Sequence, residues 1–456
     1  MNKYPLLGKV LIVGFLMIAL SVPLAMVYDL VIERSRTREA AMHDIARAHA
    51  GEQTIVGPVL YVPYTETYPT TVPVPGDAAL TRVEMVTKEH VSIQFPATLE
   101  VRGQLETETR MRGIFPVTVY TSRHEVRGRF MFEEIVPRMK DGQIALGDPL
   151  VLMGVSDLRG LMRAPQLRIG TNAVALRQAP AGMKTPLPLA APLSREQFKP
   201  KAALEFQLDY DLAGTGAIGW TPLADETIVN LESPWPHPSF GGSFLPRTRQ
   251  VTDQGFEATW SVPSLSSRAQ QQFLGQSGHQ QTLETFDVRL RDPVDVYRLT
   301  ERATKYGLMF VVLTFAAFFA LEMVKRWRIH PMQYLMIGAA LVLFFLLLLS
   351  LAEHAPFPWA YLAASAACIG LLGYYLRHVL GGWMPGLGMS GMLATLYGVL
   401  YGILISEDNA LIMGSLLLFG VLAAIMIATR KLDWYNVMGA QPASDAKPAA
   451  ATSAPV

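Results

Sequence analysis

Five long apolar runs in the last third of this chain, and a sixth near its start, constrain its fold more than any other feature. The runs are Val10–Val27, Tyr306–Val324, Met332–Ala352, Trp359–Tyr375, Leu387–Ile405 and Ala410–Ala428. A hydrocarbon core of roughly 30 Å is crossed by about 20 helical residues, and shorter apolar runs are typical of buried helices in soluble proteins. The sequence therefore predicts six membrane-spanning helices.

The first run has two interpretations. Lys3 and Lys9 precede it, which is typical of a secretory signal, and small residues around Ala19-Leu20-Ser21 offer a cleavage site. The run continues to Val27, however, which is longer than a signal-peptide core of about 15 residues. We therefore expect an uncleaved anchor over residues 1–28, followed by a helix that leaves the membrane within Asp29–Gln53.

The long insert between the first and second runs, residues 29–304, has the pattern of a β-rich domain. Its segments alternate at period two, are rich in Val, Thr, Ile and Tyr, and are separated by Gly and Pro, which favours a mainly antiparallel sandwich. Short helices are predicted at Ser194–Lys199 and Ser266–Leu274. The predicted strands are Ile55–Tyr64, Glu84–Phe95, Thr98–Arg112, Val117–Met131, Leu167–Leu176 and Ala203–Leu212.

The predicted fold class is a membrane α+β protein. It consists of an N-terminal anchor helix (1–28), a large β-rich domain (29–304) and a five-helix C-terminal transmembrane domain (305–435). The tail, 436–456, is rich in Ala, Pro and Ser and is predicted to be disordered.

The short loops predict the orientation, because Lys and Arg are retained on the cytoplasmic side. With the N-terminus inside, every short-loop cation lies inside as well. These cations are Lys3, Lys9, Lys325, Arg326, Arg328, Arg377, Arg430 and Lys431. The opposite joints hold Glu353-His354 and Glu407-Asp408. This asymmetry places residues 29–304 in the periplasm of a bacterial inner membrane, with both termini cytoplasmic.

Composition excludes several functions. Lys+Arg number 39 against 38 Asp+Glu, and a formal charge of +1 gives no support for nucleic-acid binding. The single cysteine, Cys368, lies in a predicted span, so the β-rich domain has neither a disulfide nor a Cys-based metal site. His90, His124 and His279 lack the spacing of metal ligands. We predict no cofactor, and the lipid bilayer as the surrounding partner.

The most distinctive local stretch is Ser233–Pro246, in which four prolines and two glycines prevent a helix and favour a rigid extended loop. Its aromatic residues Trp235, Phe240 and Phe244 either pack on their own domain or contact a partner. With His237 they form the candidate partner surface. A catalytic role for His237 is disfavoured, because no second titratable residue lies nearby in sequence.

Polar residues at the ends of the predicted spans are the other candidates. Glu322 lies in the last turn of its span, where we expect it to reach the interface and to pair with Arg326 at i, i+4. Glu353 and His354 are expected in a solvated loop at the outer boundary. No charge lies in the middle of a span, which disfavours a channel or a pump.

The sequence also argues against an enzyme. Gly388-Met-Ser-Gly391 is similar to the serine motif of rhomboid proteases, but no histidine follows Ser390 to act as its base. Val155-Ser-Asp-Leu-Arg159 is interpreted as a charged turn rather than a site. Gly398-Val-Leu-Tyr-Gly402 is a small-residue pattern that favours close helix packing.

Several long motifs, in the same order along almost the whole chain, are similar to one family. They are Val56–Pro63, Val155–Gly160, Trp235–Phe240 with Phe244–Pro246, Thr300–Tyr306, His330–Leu335, Ser350–His354 and Thr429–Tyr435. On these residues the chain resembles the CreD family, bacterial inner-membrane proteins of cell envelope integrity. The resemblance implies a role in the envelope stress response, linked to a two-component system, and in tolerance to envelope-damaging agents. It implies no catalytic residues.

Three hypotheses follow. The first is a non-enzymatic envelope factor that binds an envelope or membrane protein partner through its periplasmic domain. The alternative is a transporter or lipid-handling protein, with a polar cavity lined by Glu322, Tyr374, Tyr397 or Tyr401 and open to lipid. A membrane enzyme would need a distant acid/base pair, such as His237 beside a carboxylate.

Overall fold

The computed structural model describes residues 5–430 except 75–76, 181–182, 184, 186, 196–200, 276–282, 292–295, 326–328, 381 and 407–408. Several residues that the sequence singled out lie outside this set: Lys3, His279, Arg326, Arg328, Glu407-Asp408, Lys431 with the rest of the motif up to Tyr435, and the tail from 436. The chain forms two compact units: 1–37 with 294–456, called the helix unit, and 38–293, called the β unit. Helix α1 (Pro5–Ala48) contributes residues to each.

The described residues of the β unit form two sheets. The first contains β1 (Gln53–Val74), β2 (Asp77–Gln94), β5 (Gln143–Leu146), β6 (Leu150–Val155), β9 (Arg177–Gln178), β10 (Leu189–Pro192), β12 (Ala217–Trp220), β14 (Pro238–Gly242) and β17 (Phe286–Leu290). The second contains β3 (Pro96–Arg112), β4 (Phe115–Met131), β7 (Gln166–Ile169), β8 (Asn172–Ala175), β11 (Ala203–Thr215), β13 (Glu226–Ser233), β15 (Thr248–Thr252) and β16 (Gly255–Pro263). The short helix α2 spans Ala269–Gly275.

Strand order follows from long hairpins and two parallel pairings. The first sheet runs β14-β17-β12-β1-β6-β10-β9, with β2 and β5 also on β1, and the second runs β15-β16-β13-β3-β4-β11-β7-β8. β1 with β12 and β13 with β3 are parallel, while the other pairs are antiparallel. The β3–β4 hairpin closes between Arg112 and Phe115, where Gly113 adopts a positive φ of 61°.

The period-two pattern places one face of each sheet in the core. In β4, Val117, Val119, Val126 and Phe130 are buried, while the intervening Arg123 and Arg127 are not. Inward residues of both sheets join one apolar cluster, in which Phe286 stacks on Trp260 at 5.5 Å. This arrangement confirms the predicted β-rich domain. Four predicted strands fall within β1, β3, β4 and β11, and Glu84–Phe95 matches β2 except for its last residue. The segment Leu167–Leu176, predicted as one strand, is instead a hairpin of β7 and β8.

The predicted short helices differ in outcome. Ser266–Leu274 overlaps α2, whereas Ser194 and Arg195 are not helical and 196–200 lie outside the described residues. The predicted anchor and the helix after it form one helix, because α1 continues through Pro23 to Ala48. A proline removes one backbone donor, and a membrane helix can continue past it.

The helix unit contains the remaining predicted spans. After α3 (Val296–Lys305) come α4 (Gly307–Lys325), α5 (Pro331–Ala352), α6 (Phe357–Val379), α7 (Trp383–Ile405) and α8 (Ala410–Thr429). Six described helices, α1 and α4–α8, are long and apolar enough to cross a membrane. This confirms the membrane α+β class. The limits predicted at 28 and 304 stay predictions, since compact units are defined by packing and not by the position of a bilayer.

Local sequence explains where α5 begins. His330 is its N-cap: the ring Nδ1 accepts from the Met332 N–H, and Gln333 Oε1 accepts from the His330 N–H at 2.8 Å. Pro331 stands at the first helical position, where a missing N–H costs no hydrogen bond. This capping box sets the end of α5 that lies beside Glu322.

Candidate functional site

The proline-rich stretch after β13 folds back on itself. The Trp235 backbone N–H donates to Ser233 Oγ, and Trp235 Nε1–H donates to the His237 carbonyl, both at 3.2 Å. The Trp235 and His237 rings meet edge to face at 6.5 Å. Trp235 is half-buried, and its ring packs against the core of its own domain.

Phe240 packs between the two sheets of the sandwich. It lies on β14, and its ring contacts Phe256 at 5.8 Å and Trp260 at 5.7 Å. The Arg249 guanidinium, from edge strand β15, lies 5.9 Å from the Phe240 ring centre. Phe244 is also half-buried against the core. The three predicted aromatic residues therefore all pack against the core of their own domain, and only part of each ring is exposed.

What a partner can reach is the strand edge beside these aromatics. Among the described strands β14 pairs with β17 alone and ends its sheet. His237 is exposed just before β14, and Leu245, just after it, is 68% exposed. We call His237, β14 and Leu245 the β14 edge. Within the described part of the chain, the hydrogen bonds and ion pairs include none between His237 and a carboxylate.

Glu322 is placed differently from the prediction. It is 3% exposed, so it is buried inside the protein and does not reach solvent. Oε1 is paired with the Lys9 ammonium and lies 3.3 Å from the Ile329 N–H, while Oε2 accepts from the Tyr334 hydroxyl at 2.9 Å. The sequence indicated only the local partner Arg326, whereas the observed cation comes from α1. A buried carboxylate needs such a complete set of donors.

Glu353 and His354 lie at the other end of α5. The Glu353 Oε1 atom accepts from the Tyr297 hydroxyl at 3.3 Å and lies 3.7 Å from Arg34 Nε. His354 is exposed, with its Nδ1 3.1 Å from the Ser350 carbonyl. Glu353 is thus half-buried among partners from α1 and α3, and His354 is the solvated member of the pair.

The predicted polar cavity is found only in part. Tyr397 and Tyr401 line a groove between α6 and α7, but its lining is mainly apolar and includes neither Glu322 nor Tyr374. The Tyr374 side chain is exposed on α6 beside His378. Of the four residues named for the cavity of the alternative hypothesis, only Tyr397 and Tyr401 therefore line a groove, and that groove is mainly apolar.

Two motifs have structural roles. Asp157 caps the short 3-10 helix Leu158–Gly160, because its carboxylate accepts from the Arg159 backbone N–H at 3.1 Å. The same carboxylate accepts from Arg159 Nη2 at 2.6 Å and from the Gly51 N–H at 3.0 Å. The Arg159 guanidinium holds the Asp157 pKa well below its usual range. Ser390 packs against Gly373 of α6, where a Cβ would collide with its hydroxyl. The first arrangement is a charged turn, as the sequence predicted, and the second is a contact between two helices.

Sequence reasoning missed two buried polar groups in the β unit. His124 is fully buried, stacks on Tyr210 at 4.8 Å, and has Nε2 2.9 Å from Ser122 Oγ. Burial lowers its pKa to about 3, so the ring is neutral at neutral pH. The sequence did contain a signal for this burial, because the alternation of apolar and polar residues along β4 places position 124 on the face toward the core.

Glu66 is the second such group. It is fully buried, and its Oε1 accepts the N–H groups of Arg138 and Met139 at 2.7 and 2.8 Å. His90 Nε2 lies 3.5 Å from Oε2. This carboxylate holds the turn before β5 in place. Across the described residues, no three His, Cys, Asp or Glu side chains group as metal ligands do.

A surface hollow lies over the outer face of the second sheet. It has a volume of about 780 Å³, and its charged lining includes Glu100, Arg127, Arg129 and Arg168. Arg127 Nη2 already pairs with Glu125 at 2.7 Å. Both charge signs alternate along these strands, which is typical of a solvated sheet face.

Comparisons with known proteins agree on one family. The model of the family described as "Inner membrane protein CreD" matches residues 5–435. Inner membrane protein CreD of Escherichia coli (strain K12) is 33% identical over 445 residues, which cover 95% of each chain.

Solved structures give weaker likenesses. An M1 zinc metallopeptidase mutant from Deinococcus radiodurans is 10% identical over 42% of each chain, with a TM-score of 0.22. Another M1 zinc metallopeptidase structure from that organism is 10% identical over 78% of this chain and 96% of its own, with a TM-score of 0.21. Such scores do not indicate a shared fold.

Proposed function

Since the chain belongs to the CreD family of inner membrane proteins, we propose that it is a non-enzymatic factor of the envelope stress response. In this proposal it maintains envelope integrity, and tolerance to agents that damage the envelope, by binding a protein partner. The β unit carries the binding surface, and the helices hold it at the inner membrane.

The charge distribution supports a periplasmic position for the β unit. The connections at one end of the spans carry Lys325 and Arg377, whereas the α5–α6 connection carries Glu353 and His354. Lys and Arg in short loops stay in the cytoplasm, and large domains cross regardless of their charge. The two termini are then cytoplasmic, and residues 29–304 face the envelope.

The observation that carries the proposal is the β14 edge. A strand that ends a sheet presents backbone donors and acceptors to which an extended segment can be added. Prolines 234, 236 and 238 fix the chain that leads into this strand, which lowers the entropy lost on binding. Leu245 offers an apolar contact beside it. We expect the partner to be an envelope protein that adds a strand here.

The test combines crosslinking with a phenotype. A photoreactive amino acid at Leu245 should capture one defined partner in cells that make the full chain, and the same group at Leu265 should not. Leu265 is the matched control because it is a fully exposed leucine elsewhere on the β unit.

The tolerance phenotype shows whether a partner captured at position 245 is required for function. Leu245→Glu should reduce tolerance to envelope-damaging agents to that of cells lacking the protein, while Leu265→Glu should keep full tolerance. Equal tolerance in both variants, with no captured species at position 245, would exclude the β14 edge as the functional surface.

A further inference from the structure

A groove runs along the helix unit between α6 and α7. Its volume is about 530 Å³, within the range of roughly 300–1,000 Å³ that ligand pockets occupy. Trp359, Leu362 and Ile369 of α6 and Tyr397, Gly398 and Tyr401 of α7 lie along its walls. We call these six residues the α6–α7 groove. The lining is mainly apolar, and both helices are long and apolar enough to span a membrane.

The length of the groove matches one leaflet of a bilayer. From Trp359 to Ile369 the helix advances about 15 Å at 1.5 Å per residue. Half of a hydrocarbon core of roughly 30 Å is the same distance. Trp359 is 67% exposed in the first turn of α6, as expected for an aromatic residue at a membrane interface. The groove therefore runs from that interface to the middle of the bilayer.

The hydroxyl groups of two tyrosines in its walls, Tyr361 and Tyr397, are hydrogen-bonded within the protein. The Tyr361 hydroxyl donates to the Tyr397 carbonyl at 2.7 Å, and the Tyr397 hydroxyl donates to Cys368 Sγ at 3.2 Å. Bonded hydroxyls leave the rings to form an apolar wall. Tyr401 also lines the groove, and its ring lies 5.0 Å from that of Tyr361, two residues after Trp359.

The two glycines of the α7 motif have opposite surroundings. A Cβ at Gly402 would lie 2.9 Å from the Met413 Cε of α8, so this glycine permits close packing. A Cβ at Gly398 would meet nothing within 4 Å. Gly398 therefore leaves the groove open, and the expectation that the whole motif packs helices is corrected at this position.

We infer that the α6–α7 groove binds one acyl chain of a membrane phospholipid. The chain enters from the leaflet that contains Trp359, its ester carbonyl accepts from Tyr401, and its methyl end lies near Ile369. A transmembrane helix of a partner would need a path of about 30 Å, twice the length of the groove. This inference goes beyond the proposed function, since it concerns the helix unit and needs no partner at the β14 edge.

The test uses phospholipids that carry a photoreactive diazirine on one acyl chain. Full-length protein in vesicles of phosphatidylethanolamine and phosphatidylglycerol is irradiated, and labelled residues are mapped by mass spectrometry. A diazirine near the ester should label residues around Trp359 and Tyr401, and one near the chain end should label residues around Ile369. The exposed face of α8, including Phe419, reports contact with bulk lipid.

Filling the groove provides the matched comparison. Gly398→Leu should lower groove labelling at least about fivefold, because the leucine occupies the space of the chain. Gly391→Leu is the control, since Gly391 lies on the same helix, is also exposed and has an equally open Cβ position. It should leave groove labelling unchanged, and labelling of α8 should be equal in both variants.

Three results would overturn the inference. They are wild-type labelling of the groove no stronger than that of α8, labelling that does not move with the position of the diazirine, and labelling only by a free fatty acid probe. None of the three needs a variant, so they decide the question even if Gly398→Leu does not fold.

Discussion

Lys9 and Glu322 lie 313 positions apart in the chain, and their side chains form an ion pair inside the helix unit. Lys9 also donates to the Ile329 carbonyl at 2.7 Å, and its ammonium lies 5.9 Å from the centre of the Tyr334 ring. One carboxylate thus connects α1, α4 and the start of α5. The first helix is an integral member of the bundle and not a detached anchor.

This pair predicts a large effect of removing the cation. Lys9→Met leaves the buried Glu322 without its charge partner, and such a loss costs about 3 kcal/mol. Lys9→Met with Glu322→Gln should recover most of this loss, because no buried charge remains. The measurement is the unfolding free energy of the full chain in mild detergent.

An exposed pair supplies the control. Lys305 Nζ lies 2.7 Å from Glu301 Oε1, with the lysine side chain 57% exposed. Because surface pairs contribute about 0–1 kcal/mol, Lys305→Met should change stability by less than about 1 kcal/mol. If Lys9→Met were as mild as Lys305→Met, the Glu322 cluster would not hold α1 in the bundle.

His124 predicts how the stability of the β unit depends on pH. Its folded-state pKa, about 3, is below the unfolded value of about 6.5, so the unfolded chain binds the proton first. The stability that His124 contributes is complete above about pH 6.5 and is lost as the pH falls toward 3. The expected loss is about 1.4 kcal/mol for each pH unit in this window.

The measurement is urea denaturation of the full chain in detergent at several pH values, followed by the fluorescence of the buried Trp220 and Trp260. His124→Phe retains a ring beside Tyr210 but cannot titrate, so it should reduce the slope by that amount. His237→Phe, at an exposed position, is the control. Identical slopes for the wild type and His124→Phe would contradict the account.

Asp157 predicts a second pH effect, of the usual carboxylate sign. Its folded-state pKa is depressed, chiefly by the hydrogen bonds from Arg159, so its contribution is present above about pH 3.9 and lost as the pH falls further. Asp157→Asn should cost about 1.5–3 kcal/mol at pH 7, since it removes charged hydrogen bonds.

Asp148→Asn is the matched control for this measurement. Asp148 pairs with Arg195, but its side chain is 76% exposed, so the expected change is below about 1 kcal/mol. The two variants should differ in unfolding free energy, measured by urea denaturation, and this difference should become smaller only below about pH 3.9. A constant difference down to pH 2 would mean that Asp157 acts through its shape and not its charge.

The sequence predicted the elements because their signals are local. Hydropathy located α4–α8 to within a few residues, and period-two alternation located β3 and β4. Long-range partners leave no such signal. Nothing near Glu322 in sequence indicated Lys9, and nothing in the proline-rich stretch showed that Phe240 packs against Trp260. Gly398 and Gly402 belong to one motif, yet only the packing of α8 distinguishes them.

The most direct test of the account is the side of the membrane on which the β unit lies. In a Cys368→Ser background, His237→Cys, His354→Cys and His378→Cys place single thiols at three exposed positions. With the β unit in the periplasm, a membrane-impermeant maleimide should label positions 237 and 354 in cells with a permeable outer membrane. It should label position 378 only after the inner membrane is opened. Labelling of position 378 alone in intact cells would place the β unit in the cytoplasm and contradict the account.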